Sequence, residues 1–210
     1  MAQAKPIDFA AMLPGAEFSE THSRSIERPI ERVWNVFLGL PANEIRLLRP
    51  LFELRGLPAR LVGKQPPAPV GDRPALELFA EEGFIILHED ESPTDGRATL
   101  VLGAAGKFWS PAHNKPRRFT SADEFFSFDE PGWAKTIARF EAWEVDGRTI
   151  LQTETLVAGN DRASARKFAP YWAIIRGPSG LLRRSWLAAV ERGAKNAKNP
   201  RTEGREVLAS

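Results

Sequence analysis

Three histidines, His22, His88 and His113, are the side chains in this chain most able to move a proton near neutral pH. They lie in different segments, and none has the i, i+4 spacing by which a helix presents two imidazoles to zinc, so no metal site is expected. His88 stands out because it sits in HEDE beside Glu89 and Asp90. A neighbouring carboxylate favours the charged imidazole and burial disfavours it, so an inward His88 would be a candidate general base. A strand-end histidine in water is the plainer expectation. Glu124 is the next candidate. If FTSADEFFSF (119–128) is a strand, Glu124 shares a face with Phe126 and Phe128, and a carboxyl among aromatic rings can act as an acid. An edge position paired with Arg117 or Arg118 is again the plainer expectation. Lys107, beside Phe108 and Trp109, is placed to meet an acidic ligand group, although a strand lysine more often runs its stem out to water.

Two look-alike motifs fail on chemistry. GAAGK (103–107) ends like a phosphate loop but lacks the first Gly and the Ser or Thr after Lys, and it falls in a strand. GPSG (177–180) is one residue short of a nucleophile elbow and follows no strand. Ser179 reads better as an N-cap for a helix resuming at Leu181. Arg176, Arg183 and Arg184 around that point are anion-binding candidates, with solvated arginines the plainer account. The basic stretch 183–205 has Trp186 as its only aromatic and matches no nucleic-acid motif.

Composition narrows the classes further. The chain has 210 residues, 42% hydrophobic and 27% charged, which suits one globular domain with a sizeable core. A formal net charge of +2 supports no broad polyanion-binding field, so no nucleic-acid partner is expected. With no cysteine, disulfides and thiolate chemistry are excluded. The first residues hold no apolar run long enough for a signal peptide, and no window approaches a membrane span. A cytoplasmic protein without stable membrane insertion, monomer or homodimer, and without a cofactor, is the expectation.

The elements that must position these residues follow from periodicity. EFSETHSRSIE (17–27) fits an edge strand with Phe18, Glu20, His22, Arg24 and Ile26 on one side. RPIERVWNVFLGLP carries Ile30, Val33, Trp34, Phe37 and Leu38 at helical spacing, with Pro29 in the first turn and Gly39 and Pro41 stopping it. ANEIRLLRPLFELRGL predicts a second helix, kinked or divided at Pro50. KQPPAPVGDRP (64–74) is a proline-rich loop, read first as a tolerated insertion and otherwise as a mobile lid. Strands then dominate: GFIILHEDE, RATLVLGAAGKFW with Gly103 and Gly106 marking a bulge or a close approach, FTSADEFFSF, WAKTIARFEAWEV and TILQTETLVAG. Turns at SPTDG, DEPG and the hairpin signal Asp146-Gly147 make them an antiparallel meander. Asp161 is a plausible N-cap for a last helix carrying Phe168, Trp172 and Ile175, interrupted at Pro170 and 177–180. Strands flanked by helices make the chain α+β.

Face by face, strand 133–145 places Ala134, Thr136, Ala138, Phe140 and Ala142 on one side. Trp133, Lys135, Ile137, Arg139, Glu141 and Trp143 lie on the other. The small, apolar side should face inward: Ala138 in, Arg139 out. The last strand turns Leu151, Thr153, Thr155 and Val157 inward and leaves Glu154 outside, within reach of Arg139. Small inward residues opposite Phe168, Trp172 and Ile175 leave either a solid core or a ligand cavity.

The order of these elements, with PIERVW, GFIILHEDES and LVLGAAGKFW, FDEPGWAK, LQTETLV and YWAIIRGPSGLLRR, resembles the START-like (helix-grip, SRPBCC) superfamily of polyketide cyclases and lipid-transfer proteins. The likeness is to an uncharacterised bacterial branch and covers most of residues 14–195. Residues 1–13 would be an N-terminal extension and 196–210 a flexible polar tail. The resemblance implies a curved antiparallel sheet wrapped around a long, kinked C-terminal helix, with two short helices after the first strand. It also implies a small hydrophobic or amphipathic ligand in a cavity between them. The lining would be Phe108, Glu124, Phe126, Phe128, Thr136, Ala138, Phe140, Thr153, Thr155, Phe168, Trp172 and Ile175. A cyclase or dehydratase using acid–base chemistry in that cavity, and a partner-binding domain with a filled core, are the alternatives. No catalytic residue carries over from the resemblance.

Overall fold

A computed structural model describes residues 7–48, 71–90, 93, 96–110 and 115–196. Most of the second predicted helix (49–57), the core of the proline-rich loop (64–70), His113, most of the SPTDG turn and the tail from 197 lie outside these residues.

The α+β helix-grip layout holds. Strand β1 (Phe18–Ile26) leads into helix α1 (Ile30–Gly39) and a single 3-10 turn (Ala42–Glu44). Helix α2 (Ala75–Glu81), strands β2 (Ile85–Glu89) and β3 (Arg97–Gly106), and helix α3 (Ala122–Ser127) follow. Strands β4 (Ala134–Val145) and β5 (Arg148–Gly159) form a hairpin before helix α4 (Arg162–Asn196). The sheet is antiparallel and open, in the order β1-β5-β4-β3-β2. The hairpin turn uses positive φ at both Asp146 (50°) and Gly147 (73°), as a tight primed turn requires.

Two segments differ from expectation. Residues 119–128 do not form a strand. Ser121 caps α3 by accepting from the Glu124 N–H at 3.1 Å, and the Glu124 carboxylate reaches back to the Thr120 N–H at 2.8 Å. Ser-x-x-Glu is a helix-start signal, and it overrides the phenylalanine run that reads as β. Residues 75–81, unassigned from the sequence, are α2: ALELFAE is made of strong helix formers starting directly after Pro74.

The last helix is one continuous element of 35 residues with Pro170 and Pro178 inside it, so Ser179 is not an N-cap. Its true start is as expected. Asp161 accepts from the Ser164 N–H (2.9 Å) and hydroxyl (2.7 Å), and from the Gly132 N–H (2.6 Å). These bonds, Gly132's foremost, hold the Asp161 carboxyl down at about 2. A lowered folded-state pKa contributes stability that is complete above the ordinary carboxylate range and is lost as pH falls through about 2. The Tm difference between wild type and Asp161→Asn should therefore be full above about pH 4 and close as pH approaches 2. A difference that stays constant across this range would contradict the assignment.

Both faces of the sheet are covered. The inner face packs on α1 and α4 through Trp34, Phe37, Phe140 and Trp186. Phe37 meets Trp34 and Phe140 at 4.9 Å, and Trp186 meets Phe140 at 5.1 Å. The other face carries a second core of Val101, Ala105, Ile137, Leu156 and Ala158, roofed by Phe9, Leu13, Phe119 and Phe125. Ala138 is inward and Arg139 points the opposite way, as expected, but Arg139 does not point into open water. Phe9 lies over its guanidinium at 4.8 Å, and it pairs with Glu154 (2.6 Å) and Glu141 (3.1 Å). Arg97 also pairs with Glu141. The expected N-terminal extension thus supplies, through Phe9 and Leu13, part of a core.

Candidate ligand site between the sheet and the C-terminal helix

Strand register assembles the inner face from three strands. Glu20 lies opposite Thr155, and His22 opposite Thr153. Phe140 is the next partner of Thr153, and Ala138 of Thr155. Side chains on one side of paired strands are neighbours, so this face changes character along its length. At one end Phe18, Val157 and Phe168 form an apolar group with the half-buried Phe108, Trp109, Tyr171 and Trp172. At the other end lie Ile26, Leu151 and Trp186. Between them is a polar patch.

That patch is deeply set. Glu20, Thr153 and Thr155 are buried, and the His22 side chain is only 12% exposed. His22 Nε2 lies 3.1 Å from Glu20 Oε1, and Arg184 Nε lies 3.4 Å from His22 Nδ1. Arg183 reaches in from α4 and donates to the Thr153 hydroxyl at 2.6 Å. Burial pushes the Arg183 guanidinium down to about 10, against the opposing pull of the Glu20 charge. Three polar atoms here have no partner among the described residues: Glu20 Oε2, Thr155 Oγ1 and Arg183 Nε. Buried polar atoms are normally hydrogen-bonded, and leaving one unpaired costs about 1–3 kcal/mol.

The part of the helix that precedes its contact with this patch is loosely seated. α4 buries Ser164, Ala165 and Phe168 before it and Gly180, Trp186, Leu187 and Val190 after it. From 169 to 179 it buries nothing completely, and Pro170 and Pro178 remove two backbone donors within that span. Close contact resumes at Gly180, where a Cβ would lie 2.5 Å from Glu20 Oε1 and 3.0 Å from His22 Nε2. Ala normally favours a helix over Gly by about 1 kcal/mol. Here Gly180→Ala should instead lower the unfolding free energy by about 1–2 kcal/mol through overpacking. An increase in Tm for Gly180→Ala would show that the buried carboxylate can move aside.

The expected lining divides between the two faces. Thr136, Ala138, Thr153, Thr155 and Phe168 are together on the inner face, with Phe108 and Trp172 at its aromatic end. Thr136 spends its hydroxyl on the Leu156 carbonyl at 3.2 Å. Phe140 is solid core between Phe37 and Trp186. Ile175 is partly buried on α4. Glu124, Phe126 and Phe128 do not line this face, because α3 carries them on the far side of the sheet. There Phe128 packs on Phe119, Phe126 is 40% exposed, and Glu124 stands 3.8 Å from Arg117. His88 pairs with Asp90 at 3.2 Å on edge strand β2, and Lys107 stacks over Trp133 at 4.9 Å. His22 and His88 lie on opposite edge strands.

Glu20, His22, Arg183 and Gly180 were not among the expected lining. Glu20 and His22 share a strand face in the sequence, but their meeting with Arg183 depends on the β1–β5 register. Two clefts lie elsewhere. One, of about 370 Å³, is bounded by Asn35, Val36, Glu44, Arg192 and Asn196, and the other, of about 110 Å³, by Leu76, Phe79, Phe84 and Ile86.

No protein-family model matches the chain, and no curated protein matches it. Among solved structures, a hypothetical protein of Helicobacter pylori aligns over 92% of this chain and 99% of its own at 10% identity, with a TM-score of 0.40. A likeness that distant carries no functional argument. No described helix is long and apolar enough to cross a membrane.

Proposed function

We propose that the protein binds a small amphipathic molecule between the sheet and α4, as the START-like resemblance suggests. The polar end lies at Glu20, Thr155 and Arg183, and the apolar end against Phe18, Phe168 and Trp172. The observation that carries this reading is the set of three buried polar atoms without a partner among the described residues, set between the sheet and α4 where Gly180 meets Glu20 and Arg183 meets Thr153. A purely structural interface favours apolar groups at such a position, because each unsatisfied group destabilises the fold. The matching ligand chemistry is a group that accepts from Arg183 and donates to Glu20, such as a hydroxy acid or an amide, attached to an apolar body. Native mass spectrometry of protein purified from cells should show a bound small molecule that is lost from Arg183→Met. A ligand-free protein whose three polar atoms are all occupied by ordered water in a crystal would sink the proposal.

Acid–base catalysis in the same place has one observation in its favour, the Glu20–His22 contact. If Arg184 donates to Nδ1, the imidazole proton sits on Nε2 facing Glu20, so His22 gains a free basic nitrogen only when Arg184 leaves.

A further inference from the structure

The outward side of α4 is chemically distinctive. Between Arg162 and Val190 the helix holds no Asp or Glu, and apart from Arg183, which turns inward to Thr153, its cations are Arg162, Arg166, Lys167, Arg176 and Arg184. Arg162, Arg166, Lys167 and Arg176 are exposed, and none has an ion-pair partner among the described residues. Arg162 stands in the first turn of the helix, where the unpaired N–H groups already make the potential positive, and so works against the helix.

Within this cationic run Ile174 is 77% exposed and Leu181 is 54% exposed. Lys167, Ile174 and Leu181 are seven residues apart and so lie along one line of the helix. Arg166 and Arg184 lie beside that line, both on the same side of it. Large exposed aliphatic side chains amid cations suit the boundary of an anionic bilayer. The apolar groups enter the acyl region while Arg and Lys reach the phosphates. A second copy of the chain on this face would set its cations against themselves, and an acidic partner alone leaves Ile174 and Leu181 without a role. We infer that α4 docks its Lys167–Ile174–Leu181 face on an anionic phospholipid surface, peripherally and reversibly. This docking does not depend on the ligand site beneath the helix.

The test is co-sedimentation with vesicles of phosphatidylcholine alone and of phosphatidylcholine with phosphatidylserine. Partition should be at least about tenfold stronger onto the anionic vesicles at low salt, and should weaken as salt shortens the Debye length to about 10 Å at 0.1 M. Ile174→Asp with Leu181→Asp should reduce it by about tenfold or more, and Arg166→Ala with Lys167→Ala should abolish the preference for phosphatidylserine. These positions are exposed, so an unchanged Tm confirms that the variants fold. Glu20→Leu with Arg183→Met leaves the outer face intact and should bind vesicles like wild type. The proposal is overturned by equal partition onto both vesicle types, by no binding at low salt, or by binding that Ile174→Asp and Leu181→Asp leave unchanged. Sedimentation showing that Ile174→Asp instead dissociates a dimer also overturns it.

Discussion

Arg183→Met is expected to lower the unfolding free energy by on the order of 3 kcal/mol and to empty the proposed site. The guanidinium donates to Thr153, and the Glu20 charge favours its protonated form. Removing it leaves a buried carboxylate with only His22 beside it. An uncompensated buried charge is the costly outcome, whereas replacing both charges with apolar groups of similar size is often neutral. Adding Glu20→Leu to Arg183→Met should therefore recover most of the lost stability. The double variant also separates structure from function. If the charges serve only the fold, it will be as stable as wild type and otherwise unaltered. If they hold a ligand, it will be stable and will no longer copurify with the bound molecule. Stability that fails to return in the double variant would show that the two charges do not act on one another. Urea unfolding and native mass spectrometry read the two effects independently.

Trp186→Ala should destabilise the protein by about 3–5 kcal/mol, the usual range for deleting a buried large aromatic. The indole is 3% exposed and meets Phe140, Phe79 and Phe37 at 5.1, 5.4 and 6.0 Å. It therefore joins α4 to the sheet, α1 and α2 at once. Its Nε1 has no hydrogen-bond partner, so the polar atom adds nothing to offset its desolvation. Trp186→Phe keeps most of the ring contacts and removes the unpaired donor, and it should cost less than about 1.5 kcal/mol. Thermal and urea unfolding check the pair. Equal losses for Phe and Ala would mean that the contribution comes from the part of the indole ring system that Phe lacks, and not from the aromatic contacts that Phe retains.

Much of this is legible in the sequence alone. Ile30, Val33, Trp34 and Phe37 repeat at helical spacing and are buried on α1. The alternation in 133–145 placed Ala138 inward and Arg139 on the opposite side, and Glu154 does pair with Arg139. The Asp146-Gly147 turn and the Asp161 cap are local chemistry, and local chemistry depends only on neighbours in the chain. The α3 segment differs from expectation for an equally local reason: its Phe-rich run reads as β, whereas the Ser121–Glu124 cap sets a helix start. The site itself was legible only in part. Thr136, Thr153, Thr155 and Phe168 could be assigned to a face, but not to a polar patch.

That division has a physical cause. Periodicity and capping are encoded within a few residues, so the sequence by itself determined the elements, their inward faces and the α+β order. The polar patch joins β1, β5 and α4, whose residues Glu20, Thr153 and Arg183 are far apart in the chain. Only strand register and helix placement bring them together, and both are set by the packing of the whole domain. The covering of the outer face was likewise a tertiary result. Arg139 and Glu141 read as solvent charges until Phe9 and Leu13 fold back over the sheet and leave the ions paired beneath them.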